Sequence, residues 1–198
     1  MEQIRTFVAI ELDEALKNVL RQMQGELKRA PVSRIGRWVS PDGIHLTLKF
    51  LGNVSTERVP EITQALERSC RSFAPFSIAL SQPGFFPNAH RLRVVWVGVT
   101  GDVGTLQQLQ RAVETELNAL GFAPEKRDFQ PHLTLARIRD YARPSEREEM
   151  AKRIAAIQVD TSIEMLVREV HLMRSDLRPT GAVYTRLATV PLGRATGG

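Results

Sequence analysis

The tetrapeptide His45-Leu46-Thr47-Leu48 recurs unchanged as His132-Leu133-Thr134-Leu135, and the two copies hold two of the chain's four histidines. In a β-strand alternate side chains leave on the same face. Each copy therefore aims an imidazole and a hydroxyl one way and two leucines the other. Two such strands facing one cleft would present a pair of titratable bases, each with a hydroxyl beside it. Histidine is the side chain whose unperturbed pKa lies nearest neutrality. With a phosphodiester between them, one imidazole could take a proton from the attacking nucleophile while the other protonates the departing alkoxide. The threonine hydroxyls could donate to the non-bridging oxygens as negative charge grows there. A single copy would read as an alternating strand with a half-buried histidine; its duplication in a histidine-poor chain points to a site.

These groups need strands to carry them and a scaffold to hold the strands together. Arg5–Leu12 alternates and is rich in strand formers. Asp13 can then cap a helix with Leu16, Val19, Leu20, Met23 and Leu27 at helical spacing. Residues 31–36 read as a loop, Trp38-Val39 as a short strand, and Pro41-Asp42-Gly43 as a turn leading into the first motif strand, which ends at Gly52. Thr56 opens a second helix with Val59, Ile62, Leu66 and Cys70 on one face. A strand over 76–81, a loop over 83–91 and a strand over 92–99 follow. A third helix carries Val103, Leu106, Val113, Leu117 and Leu120 and stops at Gly121. The second motif comes next, and then a helix opened by Ser145 with Glu148 three residues on. Strands over 163–173 and 182–187 close the chain, with a turn at Arg178–Gly181. Each motif strand has a helix before and after it, which suggests a duplicated unit; outside the motifs the halves do not align residue by residue.

Composition sets the outer limits. The 198 residues suffice for one well-packed domain or two small lobes. Hydrophobic residues at 42% and charged residues at 25% belong to an ordinary globular protein. The net charge of +5 and a sequence pI near 9.9 favour an anionic partner, nucleic acid first. Cys70 is the sole cysteine, which excludes an intramolecular disulfide and a cysteine-based zinc site and suits a reducing, cytoplasmic setting. No signal peptide is expected at Met1–Thr6, and no segment approaches the roughly 20 apolar residues of a membrane helix.

The flanks of the two motifs carry a family resemblance. Arg5-Thr6-Phe7-Val8-Ala9-Ile10, Trp38-Val39, the run His45–Gly52, Arg93–Gly98, Pro131–Arg137, Ser175-Asp176-Leu177 and Gly181–Tyr184 occur in order along nearly the whole chain. In these pieces the chain resembles the RNA 2′,3′-cyclic phosphodiesterases of the 2H phosphoesterase superfamily, also called ThpR or LigT and long labelled 2′-5′ RNA ligases. The resemblance implies an α+β fold: a two-lobed, pseudo-twofold duplicated unit with antiparallel sheets lining a central cleft and helices outside. One domain over 1–198 would contain two intertwined lobes, each with one motif, and a disordered tail over 194–198. It implies metal-independent hydrolysis of RNA 2′,3′-cyclic phosphate ends to 2′-phosphomonoesters, with no cofactor. By the same resemblance His45 is the proton donor to the leaving 3′-oxygen and His132 the proton acceptor that activates water. Thr47 and Thr134 take the phosphate-binding positions. The residues themselves show two equivalent histidines and leave open which is acid and which is base.

Other candidates are less determinate. Arg137 is implied by the resemblance as a phosphate or RNA contact, yet strict alternation from His132 puts it on the leucine face unless the strand is irregular. Lys49 shares the parity of His45 and would add positive charge near the cleft or be solvated. Phe85 and Phe86 could stack on a terminal base or fill the core; Trp96 is expected in the sheet. His90 and His171 lack a threonine partner and are set aside. Lys126-Arg127 and Arg137, Arg139 and Arg143 could track an RNA backbone or be solvated charge. The expected partner is RNA ending in a 2′,3′-cyclic phosphate, tRNA fragments or short oligonucleotides, acted on by a monomer away from membranes. The competing readings are 2′-5′ RNA ligation, a non-catalytic RNA-end-binding module, and a zinc or iron site on the two histidines, which lacks a third ligand.

Overall fold

Nine strands, four α-helices and three short 3₁₀ helices are present among residues 2–179 and 181–193, which a computed structural model of the chain describes. The expected disordered tail over 194–198 and the turn residue Thr180 lie outside the described residues. The strands are β1 (Gln3–Glu11), β2 (Gly36–Trp38), β3 (His45–Ser55), β4 (Phe76–Phe86), β5 (Val94–Gly101), β6 (His132–Ile138), β7 (Glu164–Val167), β8 (Glu169–Arg178) and β9 (Gly181–Pro191). The helices are α1 (Glu14–Lys28), α2 (Val59–Cys70), α3 (Val103–Ala119) and α4 (Pro144–Ala156). None is long and apolar enough to cross a membrane.

Two antiparallel sheets form, in the orders β3-β1-β8-β9 and β2-β6-β5-β4-β7, so each sheet carries one motif strand. The wiring repeats. The run β1-α1-β3 has its counterpart in β5-α3-β6, and in both the motif strand pairs with the strand that began the run. After α2 the chain leaves the first sheet and β4 joins β5; after α4 and β7, β8 returns to pair with β1. Each sheet thus takes two strands from the opposite half of the sequence, β8 and β9 in the first and β2 and β4 in the second.

The leucines explain why the two sheets share one core. Leu46, Leu48, Leu133 and Leu135 are all buried in a single apolar cluster with the inner faces of the four helices, including Leu16, Leu20, Leu66, Leu109, Val113 and Ile154. Asp13 caps α1 as expected, accepting from the Leu16 amide at 2.9 Å. The helix face predicted from Leu16, Val19, Leu20, Met23 and Leu27 is the buried one.

Three local readings are corrected. Pro83–Phe86 is the end of β4 rather than a loop; the ladder to β5 is interrupted between Leu80 and Pro83, and such an irregularity is where a strand tolerates proline. α4 begins earlier than Ser145: the carboxylate of Glu146 accepts from the Arg143 amide at 2.9 Å, so Glu146 rather than Glu148 closes the N-terminus. The strand expected over 163–173 is two strands, because β7 pairs with β4 in one sheet and β8 with β1 in the other, and the chain crosses at Arg168.

Candidate active site

Both motif strands deviate from simple alternation at the same letter. In β3 the register to β1 jumps from Thr47 opposite Ala9 to Lys49 opposite Val8, leaving Leu48 as an extra residue. In β6 it jumps from Thr134 opposite Trp96 to Ala136 opposite Val95, leaving Leu135 extra. An extra residue of this kind is a β-bulge, which re-aims everything beyond it. Over five pairs the register corresponds: Phe7, Val8, Ala9, Ile10 and Glu11 face β3 as Val94, Val95, Trp96, Val97 and Gly98 face β6, every equivalent pair separated by 87 positions. The structure thereby supplies the alignment of the halves that the bare sequence withheld.

The bulges decide two candidate residues. Beyond Leu135, Arg137 turns back to the face of His132 and Thr134, and it is exposed there. Beyond Leu48, Lys49 turns to the helix side, against the parity count. It is buried, donating from Nζ to Glu114 Oε2 of α3 at 2.6 Å and to the Ala123 carbonyl at 2.9 Å. Lys49 therefore braces a sheet against a helix and adds no charge to the cleft.

The two His/Thr faces are those turned away from the shared core, and β3 and β6 approach one another where the sheets meet. On the first face His45 stands opposite Glu11 of β1. Its ring stacks on Phe7 with centroids 5.0 Å apart and takes the edge of Tyr184 at 4.5 Å. Phe7, Ala9 and Met173 form a small apolar cluster of their own here, with Tyr184 packed on it. Burial among these groups lowers the His45 pKa to about 4; the Glu11 carboxylate opposes the fall, and Lys17 and His171 add to it.

On the second face the surroundings differ. His132 Nδ1 lies 2.7 Å from the Gln130 carbonyl oxygen, and a carbonyl can only accept, so Nδ1 carries the hydrogen in this contact and Nε2 has none in the neutral ring. Phe86 meets the ring edge-on at 5.7 Å and stacks on Trp96, whose own ring lies 6.4 Å from His132. Thr47 and Thr134 are half-buried on the same faces as their histidines.

Of the two candidate stacking aromatics, Phe86 stands beside His132 and is 38% exposed. Phe85 points the other way, opposite Val95, and packs on the core, which removes it from the cleft. Trp96 is on the cleft face rather than inside the sheet; it fits because its partner Gly84 has no side chain, and a Cβ there would sit 2.4 Å from the indole. Trp38 lies on the helix side, its Nε1 donating to the Ser33 carbonyl. His90 is exposed and paired with Glu148. His171 is buried on the same sheet face as His45, its Nε2 3.6 Å from Glu11 and 3.5 Å from Glu169, its Nδ1 3.3 Å from Thr189 Oγ1. Glu11 also pairs with Arg186.

The sequence alone marks Phe7 and Tyr184 only as strand residues and gives Glu11 no role. The signal was present in the constant 87-residue interval, since it puts Phe7 and Glu11 at the positions of Val94 and Gly98 beside the second motif.

Residues 19–179 match the family model of the 2′-5′ RNA ligase superfamily, and the chain belongs to that family. It is 37% identical over 183 residues to the RNA 2′,3′-cyclic phosphodiesterase of Methanothermobacter thermautotrophicus, covering 92% of this chain and 96% of that one. Among solved structures it is similar to TT0787 of Thermus thermophilus, with a TM-score of 0.77 and 28% identity over 97% of this chain and 100% of the other. It is likewise similar to E. coli LigT complexed with 3′-AMP, with a TM-score of 0.75 and 27% identity over 96% and 99% of the two chains.

Proposed function

We propose that this chain hydrolyses the 2′,3′-cyclic phosphate at an RNA end to a 2′-phosphomonoester, with His132 as general base and His45 as general acid. Water attacks phosphorus and gives a proton to His132 Nε2. The bond from phosphorus to O3′ breaks, and His45 delivers a proton to that oxygen. The 3′-hydroxyl is restored and the phosphate stays on O2′; exchange with solvent returns both imidazoles to their starting states. Thr47 and Thr134 donate to the non-bridging oxygens, where charge accumulates in the transition state. The step as written draws on two imidazoles and water and calls on no metal or cofactor.

The observation that supports a base role for His132 is the contact of its Nδ1 to the Gln130 carbonyl, which in the neutral ring favours the Nδ1–H form and leaves a lone pair on Nε2. His45 sits instead in an apolar, aromatic packing that holds its ring neutral when no anion is beside it, so its acid role depends on the substrate raising its proton affinity. Substrate phosphate beside it supplies the negative charge that returns the proton. The named relatives support the substrate, and the net charge of +5 suits an anionic one. A single copy of the chain brings both histidines, so a monomer suffices, and the lone buried Cys70 suits a reducing cytoplasm.

The test is a product assay in chelator on an RNA with a 2′,3′-cyclic phosphate end. The expected product is the 2′-phosphate, and His45→Ala and His132→Ala are each expected to slow turnover by about 10²–10⁴-fold. A 3′-phosphate product, or turnover that survives both substitutions, overturns the reading.

A further inference from the structure

A basic groove opens at the outer end of the second motif strand, beyond His132 and Thr134. It has a volume of about 500 Å³ and is lined by Arg37, Arg137, Ile138, Arg139, Asp140 and Tyr141. Three features set it apart from ordinary surface charge. Arg37 of β2 and Arg137 of β6 are directly opposite each other in an antiparallel ladder, a placement of like charges that is unfavourable unless an anion lies between them. Arg139 extends the row: its amide donates to the Ile35 carbonyl, which puts it two positions further along and so on the side of Arg137. Among the described residues none of these three guanidinium groups lies within ion-pair distance of a carboxylate, Asp140 included. Their neighbours Arg34 and Arg143, by contrast, both pair with Glu146.

The groove continues the site in a definite direction. His132, Thr134 and, past the bulge at Leu135, Arg137 follow one another on one face of β6. At about 3.3 Å per residue, Arg137 lies roughly 13 Å along the strand from His132. That is farther along the strand than a phosphate held between His132 and Thr134 would reach. Tyr141, 66% exposed, closes the far end with an aromatic face on which a base can stack.

We infer that Arg37, Arg139 and Tyr141, together with Arg137, form a subsite for the RNA backbone next to the cyclic end, so that the protein selects oligonucleotides over mononucleotides. This deepens the proposed activity and rests on it for the position of the end itself. Guanidinium forks are suited to phosphate oxygens, and Tyr141 adds contact that does not depend on base identity.

The test compares kcat/KM for a nucleoside 2′,3′-cyclic phosphate and for a tetranucleotide ending in a 2′,3′-cyclic phosphate, in wild type and in Arg37→Ala/Arg139→Ala. The expected wild-type ratio favours the tetranucleotide by about tenfold or more, carried by KM, and the double variant reduces that ratio about tenfold. In the same samples, fluorescence anisotropy measures binding of a labelled tetranucleotide without a cyclic end. Binding should weaken in the variant, and its salt dependence should flatten by about one to two in log–log slope. Arg37→Lys/Arg139→Lys should retain most of the salt slope. A ratio that does not move, together with unchanged binding, overturns the subsite. If wild type cleaves neither substrate, the proposed activity is wrong, and the anisotropy arm alone decides whether the groove holds an RNA backbone.

Discussion

Leu48 and Leu135 occupy the same extra position in two ladders, each the single unpaired residue where its strand bulges one step after the threonine. Both side chains stay in the core. What they change is the course of the residues that follow, and the outcomes diverge. The first bulge hands Lys49 to Glu114 and turns Phe50 toward Phe7; the second hands Ala136 to the core and Arg137 to the cleft. One shared irregularity thus gives an aromatic border to His45 and a basic border to His132.

Lys49 and Glu114 should behave as a structural pair. Removing one partner strands the other's charge in a buried setting, so Lys49→Met is expected to cost about 3–5 kcal/mol by urea unfolding. Lys49→Met with Glu114→Leu should recover most of that loss. Turnover per folded molecule should survive in both, which a cleft lysine would not allow.

Stability should fall on acidification through the range where His45 differs between states. Its pKa is about 4 in the folded chain, against an ordinary value of 6.5 for a solvated histidine, so between those values the unfolded chain binds the proton first. The unfolding free energy therefore drops as pH drops through that window, by about 2 kcal/mol from this residue between pH 7.5 and pH 5. Burial pushes the His171 pKa down as well, and that effect adds in the same direction. Urea midpoints at the two pH values should show a smaller drop for His45→Gln than for wild type; equal drops would refute burial as the cause.

The two imidazoles should be distinguishable by nitrogen NMR at a pH where both are neutral. His132 is expected in the Nδ1–H form, held by the Gln130 carbonyl. Because the acceptor is backbone, Gln130→Ala should preserve that form. An Nε2–H signal for His132 would leave it without the free lone pair that a base requires.

Gly84→Ala tests the wall behind His132. The added Cβ would meet the Trp96 indole at 2.4 Å, so the ring must shift, at a cost of about 1–3 kcal/mol. Tryptophan fluorescence should change, since only Trp38 and Trp96 contribute. Turnover should fall through displacement of Phe86 and His132, which both lie against that ring.

Much of this was readable in the letters. The helix faces of α1, α2 and α3 follow from apolar spacing, and the paired imidazole and hydroxyl follow from strand parity, because both periodicities are local properties of the backbone. The fates of Lys49, Arg137 and Phe85 were not readable. A bulge leaves no mark in the alternation of an apolar run, and it reverses the facing of every residue beyond it. Proline and glycine at Pro83 and Gly84 signal a turn locally, yet the sheet absorbs them by an interrupted ladder and by the room Trp96 requires.

The sequence by itself determined that two identical His-X-Thr faces exist and that their leucines belong in a core, since hydrophobic burial and a two-residue period leave few other arrangements. Only the tertiary structure decided how the two faces differ. Phe7 and Tyr184 reach His45 from strands distant in the chain, and Gln130 reaches His132 through the approach to β6. Those contacts set burial and proton position, and an imidazole becomes an acid or a base by its surroundings rather than by its place in a motif.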